Sequence, residues 1–407
     1  MSSKHDEPFN IALSGHFGEN NVGDDILLLA LVDGLSKSLN LNHLVIFTAD
    51  VAKTESLLAR EKCNNRSIRL IYSGRWGVRQ PDSALLKSFS WLAHTVAALK
   101  KSDLHLIGPG TIIKDSNRYF VVFWLIRALW SLILRRSFSF IGIGVGEIRF
   151  WHSRLLIRWL MNKAQFISVR DTSSLEELGK LNVHRPFMAT YPDLSFIFRH
   201  YRANSRNFSQ IKRIGLNFRK FKAKHFPERA ILLYEKAIID LLRSMPDNVE
   251  LVFYSFCNEP HQNDLEMFEF IQEKFAEHHA TVEKFCYRNL VELRDGIASC
   301  DAFIGTRYHS VLLAVQACVP TIGLSYERKI INFMADIGVD AYALDIASMN
   351  RDDLLHTWEK LLEARHQYEE HLQGIVEHLG IEAHSHLKEV HRAVISCRIR
   401  AERDFVE

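Results

Sequence analysis

Arg307 and His309 stand two residues apart in Ile304-Gly305-Thr306-Arg307-Tyr308-His309-Ser310. Arginine presents a planar fork of donors that matches a carboxylate or a phosphate. Histidine titrates near neutrality and can hold or release a proton there. The pair suggests anion recognition coupled to proton transfer, with Ser310 alongside and Lys329 adding a point charge. The plainer reading makes Arg307 a cap on a sheet edge and His309 a structural hydrogen-bonder.

The elements around the pair favour the first reading. Ala302-Phe303-Ile304 is an apolar run that predicts a buried strand, broken by Gly305-Thr306. A helix begins near Ser310 and stops at Val319-Pro320, and Thr321 to Leu324 predicts a second buried strand. In an open parallel sheet, ligands bind beyond the C-terminal strand ends, where helix N-termini also favour anions. Arg219 follows the strand expected at Arg213 to Phe218, so it can face the same opening.

The N-terminal half repeats the strand, glycine turn and helix pattern. The strand Phe9 to Ser14 runs into Gly15-His16-Phe17-Gly18-Glu19-Asn20-Asn21-Val22-Gly23-Asp24-Asp25, then an apolar helix from Ile26 to Leu39. This is neither G-x-G-x-x-G nor a P-loop, which needs a lysine. It reads as a loop whose glycines let backbone approach a ligand, with Asn21, Gly23 and Asp24 lining it, Asp24 also being a helix N-cap. Leu104 to Ile107 ends at Gly108-Pro109-Gly110, Phe138 to Gly146 is glycine-rich, and Phe166 to Val169 ends at Arg170-Asp171. Strands alternating with helices throughout imply doubly wound parallel sheets.

The chain of 407 residues is 47% hydrophobic and 24% charged, with a net charge of +3, which suits a globular protein with two full cores. So small an excess does not argue for a nucleic-acid partner. The six cysteines form no C-x-x-C and are expected as reduced, buried thiols. The 20 histidines show no repeated metal-ligand spacing, most are expected on the surface, and no metal site is expected. Without a signal-peptide core before the first strand, a cytoplasmic protein is expected. Tyr119 to Leu134 is apolar on nearly all sides but too short to span a bilayer, and Arg127 interrupts it. With the basic, aromatic helix Arg149 to Trp159, it makes 119–159 a candidate for peripheral contact with the inner membrane face.

Three regions are expected: an N-terminal Rossmann-like domain over 1–200, a C-terminal one over 201–345, and a helical tail over 346–407 packing back on the first. Polar residues from Arg199 to Lys212 read as the linker. The tail holds two amphipathic stretches, Arg351 to Leu379 and Glu382 to Glu402.

Taken in order, these motifs resemble the polysaccharide pyruvyl transferase family. The matching pieces are Asn21-Val22-Gly23-Asp24, Asp103 to Gly110, Gly142 to Gly146, and Ser168-Val169-Arg170-Asp171-Thr172-Ser173-Ser174. Pro192-Asp193, Gly305-Thr306-Arg307-Tyr308-His309-Ser310 and Tyr326…Lys329 complete the set. One departure is Gly108-Pro109-Gly110, where the family usually has three glycines; proline fixes φ and removes a donor. The resemblance implies a fold similar to the GT-B glycosyltransferases, with two Rossmann-like α/β domains. It implies phosphoenolpyruvate as co-substrate, no cofactor, and an acceptor sugar in a glycan or a lipid-linked oligosaccharide, with a pyruvate ketal as product. In the family the Arg and His of the R-x-H block are linked to donor binding and catalysis, here Arg307 and His309. Arg219, Lys329 and Ser310 are then expected on the donor side, and Asn21, Gly23, Asp24, Gly108, Gly110 and Arg170 on the acceptor side. A sugar-nucleotide glycosyltransferase is the runner-up, and a non-catalytic glycan-binding protein of the same fold the third reading.

Overall fold

The computed structural model describes residues 8–63, 67–73, 84–115, 120–198, 211–223, 226–259, 262–275 and 281–406; the side chains of 84–92 and 399–406 are not described. Tyr119, Ser83, His278-His279 and most of the expected linker lie outside the described residues. The chain divides into two compact units. The first comprises Met1–Glu19, Asp24–Ile197 and Gly380–Glu407; the second comprises Asn20–Gly23 and Phe198–Leu379.

In chain order the first unit holds β1 (Phe9–Ser14), α1 (Val22–Ser38), β2 (Leu41–Thr48), α2 (Val51–Arg60), β3 (Ile68–Tyr72), α3 (Ala84–Lys101) and β4 (Leu104–Ile107). It continues with β5 (Gly110–Ile113), α4 (Phe120–Ile133), β6 (Ser137–Val145), α5 (Trp151–Met161), β7 (Phe166–Val169), α6 (Thr172–Lys180) and β8 (Phe187–Thr190). The strands form one sheet in the order β3-β2-β1-β4-β6-β7-β8, with β5 beside β6, and all pairings are parallel. Apolar runs such as Leu104–Ile107 are buried along their length, as strands covered on both faces must be. The helix α1 is buried continuously from Ile26 to Val32.

The second unit holds β9 (Arg213–Asn217), α7 (Glu228–Arg243), β10 (Glu250–Phe253), α8 (Leu265–Phe275), β11 (Val282–Lys284), α9 (Leu290–Ala298) and β12 (Ala302–Gly305). Then come α10 (Tyr308–Gln316), β13 (Thr321–Ser325), α11 (Lys329–Asp336), β14 (Ala343–Asp345) and α12 (Arg351–Val406). Its six strands run in the order β11-β10-β9-β12-β13-β14, again all parallel. In both units the order reverses beside the first strand, which puts the ligand-binding switch point between β1 and β4 and between β9 and β12.

Two differences from the sequence reading concern the tail and the histidines. The two amphipathic stretches expected in the tail belong to one continuous α12 of 56 residues, with Gly380 inside it. Its first part belongs to the second unit, where Tyr368 Oη donates to Thr321 O at 3.0 Å and His371 Nε2 lies 2.8 Å from Ile337 O. From Gly380 onward it belongs to the first unit. There Gly34 of α1 lets Leu387 close in, since a Cβ on Gly34 would stand 2.4 Å from Leu387 Cδ1. His386, in the C-terminal segment whose histidines were expected mostly at the surface, is fully buried, as is His105 of the strand read at Leu104 to Ile107. The Ser14 Oγ and Ser131 Oγ atoms lie 2.8 and 2.7 Å from the two ring nitrogens of His105. All six cysteines are unpaired thiols, and Cys286 is exposed rather than buried.

Candidate active site

In the second unit the polar residues gather at the C-terminal edge of the sheet, around the buried carboxylate of Asp264. Asp264 is 0% exposed. Its Oδ2 accepts from Asn217 Nδ2 at 3.1 Å, Phe256 N at 2.9 Å and Cys257 N at 3.1 Å. Its Oδ1 takes Nε and Nη2 of Arg307 at 2.9 and 2.7 Å. The Arg307 Nη1 and Nη2 groups also donate to Gln262 Oε1 and to Gln262 O. An open Arg307 fork was expected, and it is not found: the guanidinium is spent on Asp264 and Gln262. Burial works against the charge on Arg307, but Asp264 outweighs it and holds the guanidinium firmly protonated.

Asn217, the last residue of β9, joins this carboxylate to β12. Its Oδ1 accepts from Arg307 N at 3.0 Å and lies 2.9 Å from Ser310 Oγ, while its Nδ2 also donates to Tyr254 O at 2.8 Å. Ser310 Oγ also reaches Arg307 O at 2.8 Å. Gly305 makes room, since a Cβ there would stand 2.6 Å from Ser310 Oγ. The helix α10 begins at Tyr308, two residues earlier than expected, so Arg307 is its N-cap and His309 lies in its first turn.

His309 rests on a segment from the far end of the sequence. The N-terminal loop sends Asn20–Gly23 into this unit, where Asn21 bridges Cys257 antiparallel, Val22 N donates to Phe256 O at 2.9 Å and Asn258 N to Asn20 O at 3.0 Å. Asn21 Oδ1 accepts from Gly23 N at 3.0 Å. A Cβ on Gly23 would stand 2.0 Å from His309 Nδ1, so only a bare backbone fits against that ring. Asn21 and Gly23, expected on the acceptor side, therefore sit in the same unit as Arg307 and His309. Burial pushes the adjacent Cys257 thiol up to about 11, which keeps it from acting as a thiolate nucleophile.

The remaining cations meet at Tyr326, beyond the end of β13. The Arg219 guanidinium lies 4.8 Å from the centre of the Tyr326 ring and Lys329 Nζ lies 5.5 Å from it. Burial raises the Tyr326 phenol, but Lys329, Arg307 and Arg219 together outweigh burial and the opposing Glu327, and its net shift is downward. Lys329 is shared with Glu327, 3.4 Å away. Arg219 has no carboxylate within ion-pair distance among the described residues, and its buried Nε meets no hydrogen-bond partner. Tyr326 and Lys329 carry part of the sequence resemblance, whereas Asn217, Gln262 and Asp264 gave no local signal.

The first unit's sheet edge is built differently. At its switch point Gly108 N donates to Ser14 O at 2.8 Å, and a Cβ on Gly15 would stand 2.8 Å from Gly108 O. Gly108 and Gly110 flank Pro109 with φ of 125° and 105°, values closed to residues with a side chain. Asp24 Oδ1 stands 3.7 Å from the Cβ position of Gly110. Arg170 is buried, donates from Nη2 to Thr111 Oγ1 at 2.6 Å, and lies near Asp171 and Asp193 at 3.7 and 3.8 Å. A separate cavity of about 310 Å³ in this unit is walled by Phe47, Leu99, Phe123, Ile126 and Trp130. Ser14, Ser73, Thr95, His105 and Arg127 also line it; Arg127 donates to Phe123 O and Ser73 O, and His105 is hydrogen-bonded to Ser14. Among the described residues no cluster of three His, Cys, Asp or Glu side chains is arranged to hold a metal ion.

Comparison with known proteins places this arrangement. HepE of Anabaena, solved with UDP-glucose, superposes with a TM-score of 0.63 at 11% identity, over 95% of this chain and 99% of that one. A UDP-GlcNAc 2-epimerase of Neisseria meningitidis, bound to UDP-GlcNAc, gives 0.59 at 11% identity, over 95% and 99%. These likenesses show the fold, two Rossmann-like α/β units of the GT-B type. The amylovoran biosynthesis protein AmsJ of Erwinia amylovora is 21% identical over 270 residues, which is 61% of this chain and 64% of that protein. The match thus takes in just under two thirds of its curated relative. The sequence profile of the polysaccharide pyruvyl transferases matches residues 21–328, from the segment under His309 to the residue before Lys329. With that match covering most of its length, the chain belongs to the polysaccharide pyruvyl transferase family.

Proposed function

We propose that the chain moves a pyruvyl group from phosphoenolpyruvate onto two hydroxyls of one sugar, in a glycan or its lipid-linked precursor, and releases phosphate. The observation that carries this reading is the convergence of Arg219, Lys329 and Arg307 on Tyr326, on the same sheet edge as His309. Phosphoenolpyruvate holds a carboxylate and a phosphate on one small frame, so it needs several fixed cations close together. Arg219 and Lys329 are the groups suited to grip it. Arg307, locked on Asp264, acts as a fixed charge and sets the position of α10.

The chemistry then needs a proton on the donor methylene carbon, which leaves the adjacent carbon cationic. One sugar hydroxyl attacks that carbon and gives up its proton. The C–O bond to phosphate breaks, and a second hydroxyl closes the ketal and loses its proton. His309 is the group suited to deliver or accept these protons, a role worth about 10²–10⁴-fold. No cofactor is required by these steps. AmsJ acts in amylovoran biosynthesis by its name, which supports a polysaccharide or its precursor as the acceptor.

The competing reading is a sugar-nucleotide glycosyltransferase, favoured by the fold shared with HepE. Thermal-shift titration separates them, because a ligand stabilises the state that binds it. Phosphoenolpyruvate is expected to raise the melting temperature, and phosphate release to follow addition of an acceptor glycan. Stabilisation by UDP-glucose alone, with no response to phosphoenolpyruvate, would sink the proposal.

A further inference from the structure

The helices α4 and α5 pack together in the first unit through Trp124, Leu125, Ala128, Ile157, Leu160 and Met161. That contact accounts for one face of α5, on which Ser153, Ile157, Leu160 and Met161 are buried. The opposite face is also apolar. Trp151, Leu155 and Trp159 are 73, 56 and 49% exposed, and they recur at the i, i+4, i+8 spacing of a single stripe. A surface helix ordinarily turns such a stripe inward. Ile126 and Ile133 of the neighbouring α4 are likewise exposed.

Charge says what covers this face. Exposed Arg154 and Arg158 flank the α5 stripe, exposed Arg135 and Arg136 follow α4, and Lys163 is exposed just after α5. Neither helix contains an Asp or Glu. From residue 120 to 163 the only acid is Glu147, and Arg149 neutralises it at 2.8 Å. Tryptophan side chains favour the headgroup level of a bilayer, and arginines beside them favour anionic lipid. No helix among the described residues is long and apolar enough to cross a membrane, which leaves contact with its surface.

We propose that the α4–α5 face docks on an anionic lipid bilayer, with Trp151, Leu155 and Trp159 seated at the headgroup level and Arg154 and Arg158 held by lipid phosphates. A protein partner with this chemistry would need a large acidic and apolar groove, whereas a bilayer supplies both features over any area. The inference does not rest on the reaction proposed above, because binding is read without turnover.

The test is co-sedimentation of the full chain with vesicles of phosphatidylcholine alone and of phosphatidylcholine with phosphatidylglycerol. Binding only to the anionic vesicles, weakening as salt rises, is expected. Each basic residue near such a surface is worth about fivefold in partition, so Arg154→Glu with Arg158→Glu should weaken binding by at least about 25-fold. Trp151→Ser with Trp159→Ser should weaken it even on vesicles that still attract the protein by charge. All variants should keep the wild-type circular dichroism and melting curve, since these side chains lie outside the core. Equal binding to neutral vesicles, no binding, or charge-reversed protein that binds like wild type would overturn the proposal. So would sedimentation velocity showing a dimer that Trp151→Glu converts to monomer, because the face would then be a contact between copies.

Discussion

The two sheet edges share a topology and differ in what holds their polar groups in place. In the second unit a buried carboxylate does it: Asp264 takes five donors from Asn217, Phe256, Cys257 and Arg307, and each strand end is tied to the next. In the first unit backbone does it: Gly15 and Gly108 bring chain against chain, and buried Arg170 lies near Asp171 and the buried Asp193. One edge is tied together by buried side-chain charges, the other chiefly by close backbone contacts.

The sharpest way to break this contrast is to remove the carboxylate. Asp264→Ala leaves the Arg307 guanidinium buried without its counter-ion, a change that costs about 3–5 kcal/mol. Arg170→Ala in the first unit removes a hydrogen bond to Thr111 and two longer ion contacts, for about 1–3 kcal/mol. Urea denaturation of both variants compares the supports directly. Equal losses would mean that the two edges are held alike.

The next effect is on rate. His309→Ala, trimming a partly exposed ring, is expected to keep the fold and lower turnover by about 10²–10⁴-fold. Wild-type turnover would remove His309 from the chemistry. A smaller effect should come from glycines. Gly23→Ala must displace the His309 ring, so turnover should fall about tenfold or more while stability changes little. Gly110→Ala meets a positive φ instead and should cost about 1–3 kcal/mol of stability. A reversed pattern would show that Gly23 is structural and Gly110 functional.

How much of this was readable beforehand follows from distance along the chain. The R-x-H turn, the glycine turns and the alternating strands are local patterns and stand where they were read, although Arg307 is already engaged and α10 starts two residues early. Asp264 lies 43 residues before Arg307 and Asn217 lies 90 before it; only the order β10-β9-β12 brings them together. An arginine's type declares that it can bind an anion, but the anion it already holds depends on tertiary structure. The single tail helix was hidden for a similar reason, because the intrinsic cost of Gly380, about 1 kcal/mol, is overridden when the helix on either side is packed. The burial of His386 was equally invisible.

A pH-dependent effect concerns that histidine. Burial pushes His386 down to about 3, against the opposing pull of Asp193, while its Nε2 meets Ser168 Oγ at 2.6 Å and its ring stacks on Tyr191 at 4.5 Å. The unfolded chain takes up the proton near pH 6.5 and the folded chain does not. The neutral ring's contribution is therefore full above that value and is lost as pH falls toward 3. Melting temperatures from pH 7 to 4 should fall less steeply in His386→Phe than in wild type. An unchanged slope would remove His386 from the acid sensitivity.

Residues 20–23 leave the ribosome long before the C-terminal half, yet they line that half's histidine. A polypeptide started at residue 198 would emerge with one wall missing, whatever the quality of its own sheet. Nascent chains must keep this short strip unclaimed until some 290 further amino acids have been made. Splitting the gene at the obvious seam should therefore yield halves that are inert apart and recover only when mixed.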